Sequence, residues 1–283
     1  MYIAADGPRE DFFEDITKVN KVREIVTAVN WNCEVKTLFH DNNLGCKNAV
    51  SSSINWFFEH EEQGIILEDD CLPHPDFFRF CDVLLDLYKN DDRVWVITGN
   101  NFQNGIKRGK GSYYFSRYNH VWGWATWRRA WKHYQGDISF WSNWKKSKDW
   151  KNKLPDRIER RNWQKIFNQV YKGNINSWAY PWTACVWYHG GLTATPNVNL
   201  VSNIGFGSDS THTKNKESSF TFMSTESIGT IRHPSEVVLN YAADRYTFDH
   251  HFGGSMQRLP LSIILLPKRI LGFIIRFIKQ IIC

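Results

Sequence analysis

Residues 65–73 read IILEDDCLP, in which a short apolar run is followed directly by three acidic residues. Its three aliphatic residues form the short apolar run typical of a buried parallel strand, and Glu68, Asp69 and Asp70 follow without a spacer. We therefore expect the strand to deliver three carboxylates to the carboxyl edge of a sheet, where open α/β folds bind ligands. Adjacent carboxylates repel one another unless solvent, a cation or hydrogen-bond donors neutralise them. A divalent cation facing a diphosphate would do so, and a solvated acidic turn is the alternative.

Apolar periodicity around this stretch predicts alternating strands and helices. Residues 2–5 and 34–39 are expected to be strands joined by a helix over residues 12–29, so they form a βαβ unit. After the acids, Asp76 opens a predicted helix, and residues 94–97 form another buried strand. The apolar face of the Asp76 helix consists of Phe77, Cys81, Leu84, Leu85 and Tyr88. The pattern therefore predicts an α/β fold.

Four further motifs follow ILEDDCLP in order: PDFFRFC, GNNFQ, GWATWRRAW and PNVNLVSNIGFG. Together they resemble a bacterial family of glycosyltransferase-like proteins with a nucleotide-diphospho-sugar transferase (GT-A) fold, similar to the catalytic domain of N-acetylglucosaminyltransferase I. The resemblance covers residues 2 to about 213 and implies a mixed, mainly parallel sheet flanked by helices. Family members carry about one more βα unit ahead of Tyr2. We therefore expect a GT-A domain over residues 1–258 that lacks its first strand and helix, through truncation or a miscalled start site.

The resemblance also implies roles for individual residues. Glu68 and Asp69 are expected to face the nucleotide-sugar, and Asp70 to hold Mn²⁺ or Mg²⁺. His212 follows a glycine-rich loop and is the expected second metal ligand. Asp6 ends the first predicted strand and is assigned to the nucleoside. The sugar and acceptor pocket is expected to be lined by Asn100, Asn101, Trp122 and Trp124.

Two more residues are assigned to the nucleotide. Gly45 ends a turn that opens a helix, and backbone N–H groups at such a turn can bind phosphate, although most turns of this kind bind nothing. Arg9 follows the Gly-Pro turn after the first strand. The local alternative for Asp6 is that its carboxylate caps that turn with a side-chain hydrogen bond.

The sequence assigns no catalytic base. An inverting transfer needs a carboxylate near the acceptor hydroxyl, and family members often carry an acid in the stretch that here reads WAYPW at residues 178–182. This chain has Ala179 there. Asp137, Asp149 and Asp209 are the nearest candidates by motif position. The alternatives are a retaining mechanism or loss of transfer.

Aromatic residues are abundant, with 14 Trp, 11 Tyr and 19 Phe, and we expect most of them in the core. Trp124, Trp127 and Trp131 have helical spacing and are predicted to share one helix face. Residues 137–161 are lysine-rich without clean periodicity. They are expected to be an excursion over the surface, with a solvated helix pair as the alternative.

The net charge of +6 is concentrated around residues 145–161 and in the last 16 residues. Without a nucleic-acid-binding motif, it favours anionic ligands or an anionic membrane and not nucleic acid. Residues 259–283 are apolar but interrupted by cations, which predicts an amphipathic tail on a membrane surface and not a spanning helix. Six cysteines without paired metal-ligand spacing, and a start without signal-peptide features, favour the cytoplasmic face of the cell membrane.

The sequence thus predicts a metal-dependent glycosyltransferase that moves a sugar from a nucleotide-diphospho-sugar to a surface glycan or glycolipid. The chemistry needs positioning, neutralisation of the leaving diphosphate and a base for the acceptor hydroxyl. A non-catalytic sugar-nucleotide-binding or scaffold protein of a glycan-assembly complex is the alternative. Turnover of nucleotide-sugar separates the two.

Overall fold

The computed structural model describes residues 1–205 and 223–258, which contain nine strands and ten helices. The strands are β1 (Tyr2–Ala5), β2 (Lys36–Phe39), β3 (Gln63–Ile66), β4 (Cys71–Pro73), β5 (Val94–Thr98), β6 (Tyr113–Ser116), β7 (Trp124–Trp127), β8 (Leu192–Pro196) and β9 (Val201–Asn203). The helices are α1 (Phe13–Thr27), α2 (Gly45–His60), α3 (Pro75–Leu87), α4 (Arg128–Trp131), α5 (Trp141–Trp144), α6 (Lys148–Lys153), α7 (Arg157–Tyr171), α8 (Ala179–His189), α9 (Tyr241–His250) and α10 (Gly254–Gln257).

The described strands form one five-stranded sheet and two strand pairs. The sheet has the order β3-β7-β5-β8-β6, and the pairs are β1-β2 and β4-β9. Only β5-β8 and β1-β2 are parallel among these pairings. The α/β class with a mixed sheet is therefore confirmed, but the prediction of a mainly parallel sheet is wrong for the described residues. Two strands cause the difference: β7 lies between β3 and β5 and runs antiparallel to both, and β6 runs antiparallel to β8.

The acid-bearing strand β3 is a half-buried edge strand, whereas the sequence predicted a buried parallel one. Among the described strands it pairs only with β7, in antiparallel register with Ile66 opposite Trp124. Leu67 lies beyond the last pair and is exposed. The carboxylates still follow the carboxyl end of the strand, as predicted.

The GWATW motif forms a strand and not the start of a helix. Trp124 and Trp127 belong to β7, and only the four residues of α4 are helical. Helical spacing was misleading here because pairing on both sides fixes the backbone as a strand. In β7, Trp124 packs on one face of the sheet while Ala125 and Trp127 pack on the other.

The five-stranded sheet is covered on both faces. The predicted apolar face of α3 packs on one side and is buried, which confirms that prediction. The other face carries a larger, aromatic core built from α2, α4 to α8 and the sheet. Ten tryptophans lie in it: Trp95, Trp124, Trp131, Trp141, Trp144, Trp150, Trp163, Trp178, Trp182 and Trp187.

Residues 137–161 are therefore not a surface excursion, and that prediction was wrong. Trp141, Trp144 and Trp150 are buried: Trp141 and Trp150 pack against Phe167 of α7, and Trp144 packs against both of these tryptophans. Burying these rings stabilises short helices that the polar periodicity does not predict.

Three predicted features lie outside the described residues: Asp209, His212 and the tail at 259–283. None of the helices within residues 1–205 and 223–258 has the length and apolarity to cross a membrane.

Candidate functional site

The acids 68–70 occupy a short loop that joins β3 to β4. The loop is a tight turn, because Cys71 N donates to Glu68 O at 3.1 Å. Ile204 N, just after β9, donates to Asp70 O at 2.8 Å. Antiparallel pairing of β4 with β9 holds its far side, with Cys71 opposite Asn203. Backbone hydrogen bonds from two strands therefore fix the positions of the carboxylates.

Glu68 is the most perturbed acid of the loop. Burial raises its pKa to about 7, the negative charges of Asp70 and Asp69 add to the rise, and a polar interaction with the Trp178 side chain partly offsets it. Trp178 is itself buried and directly precedes α8. The sequence did not point to Trp178 as a neighbour of the acids, because they are about 110 residues apart.

No cation compensates this loop in the part of the chain that the structure describes. None of the ion pairs there includes Glu68, Asp69 or Asp70. Burial raises the pKa of the Cys46 thiol, and the charges of the three acids and of Asp6 raise it further. Four carboxylates therefore act on the first turn of α2, where an external cation would be stabilised.

Asp70 is closely packed against Gly205, the last described residue before the gap. A Cβ at Gly205 would lie 2.7 Å from Asp70 Cβ and 2.9 Å from its Cγ, so only glycine fits beside this carboxylate. The Cys71 thiol donates weakly to Asp70 Oδ1 at 3.5 Å, and Gly205 N donates to Asn203 Oδ1 at 2.9 Å. Gly205 therefore lies beside the Asp70 carboxylate, and His212 is outside the described residues.

The donor set of the loop suits a hard divalent cation, because carboxylate oxygens are the preferred ligands of Mg²⁺ and Mn²⁺. Within residues 1–205 and 223–258, however, no three His, Cys, Asp or Glu side chains converge on one ion position. Asp70 would therefore share a cation with water, with phosphate oxygens or with residues outside that part of the chain.

Asp6 accepts three backbone hydrogen bonds at the end of β1. Its carboxylate takes the N–H of Gly7 at 2.9 Å, of Leu44 at 2.8 Å and of Gly45 at 3.1 Å. The N–H groups of the predicted phosphate-binding turn are therefore already donated to an internal anion, which favours the capping alternative for Asp6. Arg9 is exposed and pairs with Asp15 at 2.6 Å.

The two asparagines of GNNFQ are buried, and their side chains hydrogen-bond to backbone groups of neighbouring loops. Asn100 accepts from Trp122 N at 3.1 Å and donates to Val201 O at 3.3 Å. Asn101 donates to Pro196 O at 2.6 Å and accepts from Gln103 N. These hydrogen bonds connect the loops at the carboxyl edge to one another. The side-chain amides therefore serve the fold and do not face a pocket.

The two tryptophans predicted for the pocket differ. Trp124 is fully buried and stacks on Trp178 with ring centroids 5.6 Å apart, so it supports the neighbour of Glu68 and cannot reach a sugar. Trp122 is half-buried and contacts the Phe102 ring. Of the pair, Trp122 alone has surface that a ligand could contact.

Asp137 and Asp149 occupy different places relative to the acids. Asp149 accepts from the Trp144 indole at 2.7 Å and pairs with Lys153, which binds the carbonyls of the last turn of α8. Glu68 faces the opposite end of that 11-residue helix, about 15 Å away by helix rise. Asp137 is exposed and caps its own turn by accepting from Ser139 N at 3.1 Å.

The site therefore consists of the acidic loop, the first turn of α2, the start of α8 and the end of β9. Its acids were predicted from the sequence. Trp178 and Gly205 belong to two stretches that the sequence analysis named, but without a role of their own, and Cys46 was not singled out. No protein-family model matches the chain, and a search of the curated proteins finds no match. The function is therefore inferred from the site itself.

Proposed function

We propose that the chain is a metal-dependent glycosyltransferase of the GT-A type, which moves a sugar from a nucleotide-diphospho-sugar to a hydroxyl of a surface glycan or glycolipid. One observation carries the proposal: three consecutive carboxylates are fixed at a strand end, and none is ion-paired within the described residues. Buried acids that serve only the fold normally have a cation beside them. Carboxylates that lack an ion pair are suited to an incoming cation.

The roles proposed for the acids are those that the resemblance to the glycosyltransferase-like family implies. Asp70 would hold Mn²⁺ or Mg²⁺, with His212 as the expected second ligand, and the ion would neutralise the leaving diphosphate. Glu68 and Asp69 would face the nucleotide-sugar. With its pKa raised to about 7, Glu68 can donate a hydrogen bond to a hydroxyl when protonated and accept one when ionised.

The sugar and acceptor would lie between the acidic loop and the start of α8. Trp122 offers a ring for stacking, and Asn100 positions it through its backbone N–H. For the catalytic base, Asp137 is favoured over Asp149, because Asp149 is engaged at the far end of α8. Asp209 stays a candidate outside the described residues.

The membrane is proposed as a second partner. The tail at 259–283 would dock on the inner face of the cell membrane, with its apolar residues buried and its cations at the headgroups. A chain ending at Arg258 should then appear in the soluble fraction while the full chain sediments with membranes. Nucleic acid is not expected as a partner.

The test of the proposal is a screen of nucleotide-diphospho-sugars by thermal unfolding with and without Mn²⁺, followed by turnover with acceptor extracts. Binding should raise the midpoint only when Mn²⁺ is present, because a ligand stabilises in proportion to the logarithm of its concentration over Kd. Release of nucleoside diphosphate should accompany it. Tight Mn²⁺-dependent binding without turnover, restored by Ala179→Asp, would instead favour a non-catalytic binding or scaffold protein.

A further inference from the structure

The outer face of α7 carries a row of cations. Arg157, Arg161, Lys165 and Lys172 are spaced so that, at 100° per residue, they fall within an arc of about 80°. All four side chains are exposed. The opposite face of the helix is buried and consists of Glu159, Trp163, Phe167 and Val170.

These cations have no internal partner among the described residues. The two acids of this part of the helix point elsewhere: Glu159 pairs with Arg117, and Asp156 caps the helix and pairs with Arg258. Like charges at i and i+4 repel, so the row destabilises α7 by a small amount unless something outside the chain neutralises it.

The positive surface extends beyond the row. Lys145 donates to Asn168 Oδ1 at 3.4 Å and so joins the same face. A shallow depression of about 410 Å³ lies there, lined by Arg161, Gln164, Lys165, Asn168, Gln169 and Lys172. Residues 145–172 contain ten Lys or Arg and three Asp or Glu, a net charge of +7 against +6 for the whole chain. Much of the positive charge of the protein therefore lies in this segment, and four of its cations share the outer face of α7.

The apolar tail leaves the folded domain beside this surface. Arg258, the last described residue, pairs with Asp156 at 2.8 Å at the N-terminal end of α7. Next to it, Gln257 Nε2 donates to Asn162 Oδ1 at 3.1 Å. The 25 residues that follow, 259–283, combine long apolar runs with four cations. The residue just before this segment is therefore held at the N-terminal end of the helix that carries the row of cations.

We propose that the outer face of α7 is a docking surface for the anionic headgroups of a lipid bilayer. The cations would contact phosphate and carboxylate groups, with Gln and Asn between them as hydrogen-bonding partners. Among the described residues, none that lines the depression is aromatic and could stack on a base, which disfavours single-stranded nucleic acid. The proposal concerns the folded domain and does not depend on glycosyl transfer.

The test compares two charge-matched variants of the full chain. The test variant, Arg161→Gln with Lys165→Gln, removes two cations from α7. The control variant, Lys107→Gln with Lys110→Gln, removes two exposed cations from the loop between β5 and β6. Binding to vesicles of phosphatidylcholine with phosphatidylserine should weaken about tenfold or more in the α7 variant and by less than about twofold in the control. Thermal unfolding checks that both variants are folded.

Other outcomes overturn the proposal. Equal weakening in both variants would mean that only net charge matters, and no weakening in either would leave the tail as the sole contact. If the α7 variant loses affinity for RNA while its vesicle binding is unchanged, the surface serves nucleic acid. Equal binding of the wild type to vesicles of phosphatidylcholine alone would also exclude a role for headgroup charge.

Discussion

Glu159 and Asp244 lie buried beside Arg117, whereas the acids 68–70 lie at a sheet edge with no ion pair among the described residues. Arg117 is 3.5 Å from a carboxylate oxygen of each buried acid. Tyr118 Oη donates to Glu159 and Ser116 Oγ donates to Asp244, each at 2.6 Å. Acids that hold α7 and α9 to the sheet therefore have donors from the protein itself.

The acidic loop has hydrogen-bond donors in Trp178 and Cys71, but it has no ion-paired cation among the described residues. The nearest charges that act on Glu68 are those of Asp69 and Asp70, which are of the same sign. The buried acids therefore have a cation within the protein, whereas we expect the acidic loop to be neutralised by a bound cation, at a cost in stability when the cation is absent.

The largest effect is expected when Arg117 is replaced. Arg117→Met would leave two buried carboxylates without their cation and should lower the free energy of unfolding by about 3–5 kcal/mol, measured by denaturant titration. Arg93→Met is the control, because Arg93 is exposed and its pair with Asp91 should contribute less than about 1 kcal/mol. Equal losses in the two variants would mean that the buried network has no special structural role.

The next effect is a pH dependence from Asp244. Burial raises its pKa from 3.8 to about 6, against the opposing charge of Arg117. Between these values the folded state holds a proton that the unfolded state lacks, so stability falls as pH rises through the window, by about 2–3 kcal/mol from this group. Asp244→Asn should lack that part of the slope, and Mn²⁺ should not change it. Identical slopes in wild type and variant would refute the assignment.

A smaller effect is expected at the acidic loop from Gly205→Ala. The added Cβ would displace the Asp70 carboxylate without removing its charge, so Mn²⁺-dependent affinity for a nucleoside diphosphate should fall about tenfold. Gly136→Ala is the matched control, because a Cβ there meets side-chain atoms only at ordinary distances of 3.5 Å or more. Unchanged affinity in Gly205→Ala would show that the position of Asp70 is unimportant.

The smallest effect is expected for Asp149→Asn. The substitution removes the charge that pairs with Lys153 while its oxygen can still accept from the Trp144 indole. Stability should fall by less than about 1 kcal/mol, and turnover of nucleotide-sugar should stay within about twofold. A tenfold loss of turnover would return Asp149 to the catalytic candidates.

The sequence predicted individual helices and strands better than it predicted which strands pair with one another. The apolar face of α3 and the buried strand β5 are confirmed, because a helical stripe of apolar residues and an unbroken apolar run are both visible in the local sequence. The strand β7 was missed because its conformation depends on pairing with β3 and β5, which no local pattern encodes.

The same distinction holds for the site. The acids 68–70 could be found, because three adjacent carboxylates after an apolar run are visible in the sequence. Trp178 and Gly205 could not, because both reach the loop only through the tertiary fold. Asn100 and Asn101 were recognised as a motif, yet their side chains face backbone groups and not a pocket.

The most direct measurement is thermal unfolding of the wild type and of Asp70→Asn, each with EDTA or with Mn²⁺ and a nucleoside diphosphate. Without metal, the variant should unfold at the same midpoint or higher, because it loses a like charge from an unsupported cluster. With metal and nucleotide, the wild-type midpoint should rise and the variant's should not. An equal rise in both proteins, or a variant that is destabilised in EDTA as a buried structural acid would be, contradicts the assignment of this loop as a cation-dependent nucleotide-sugar site.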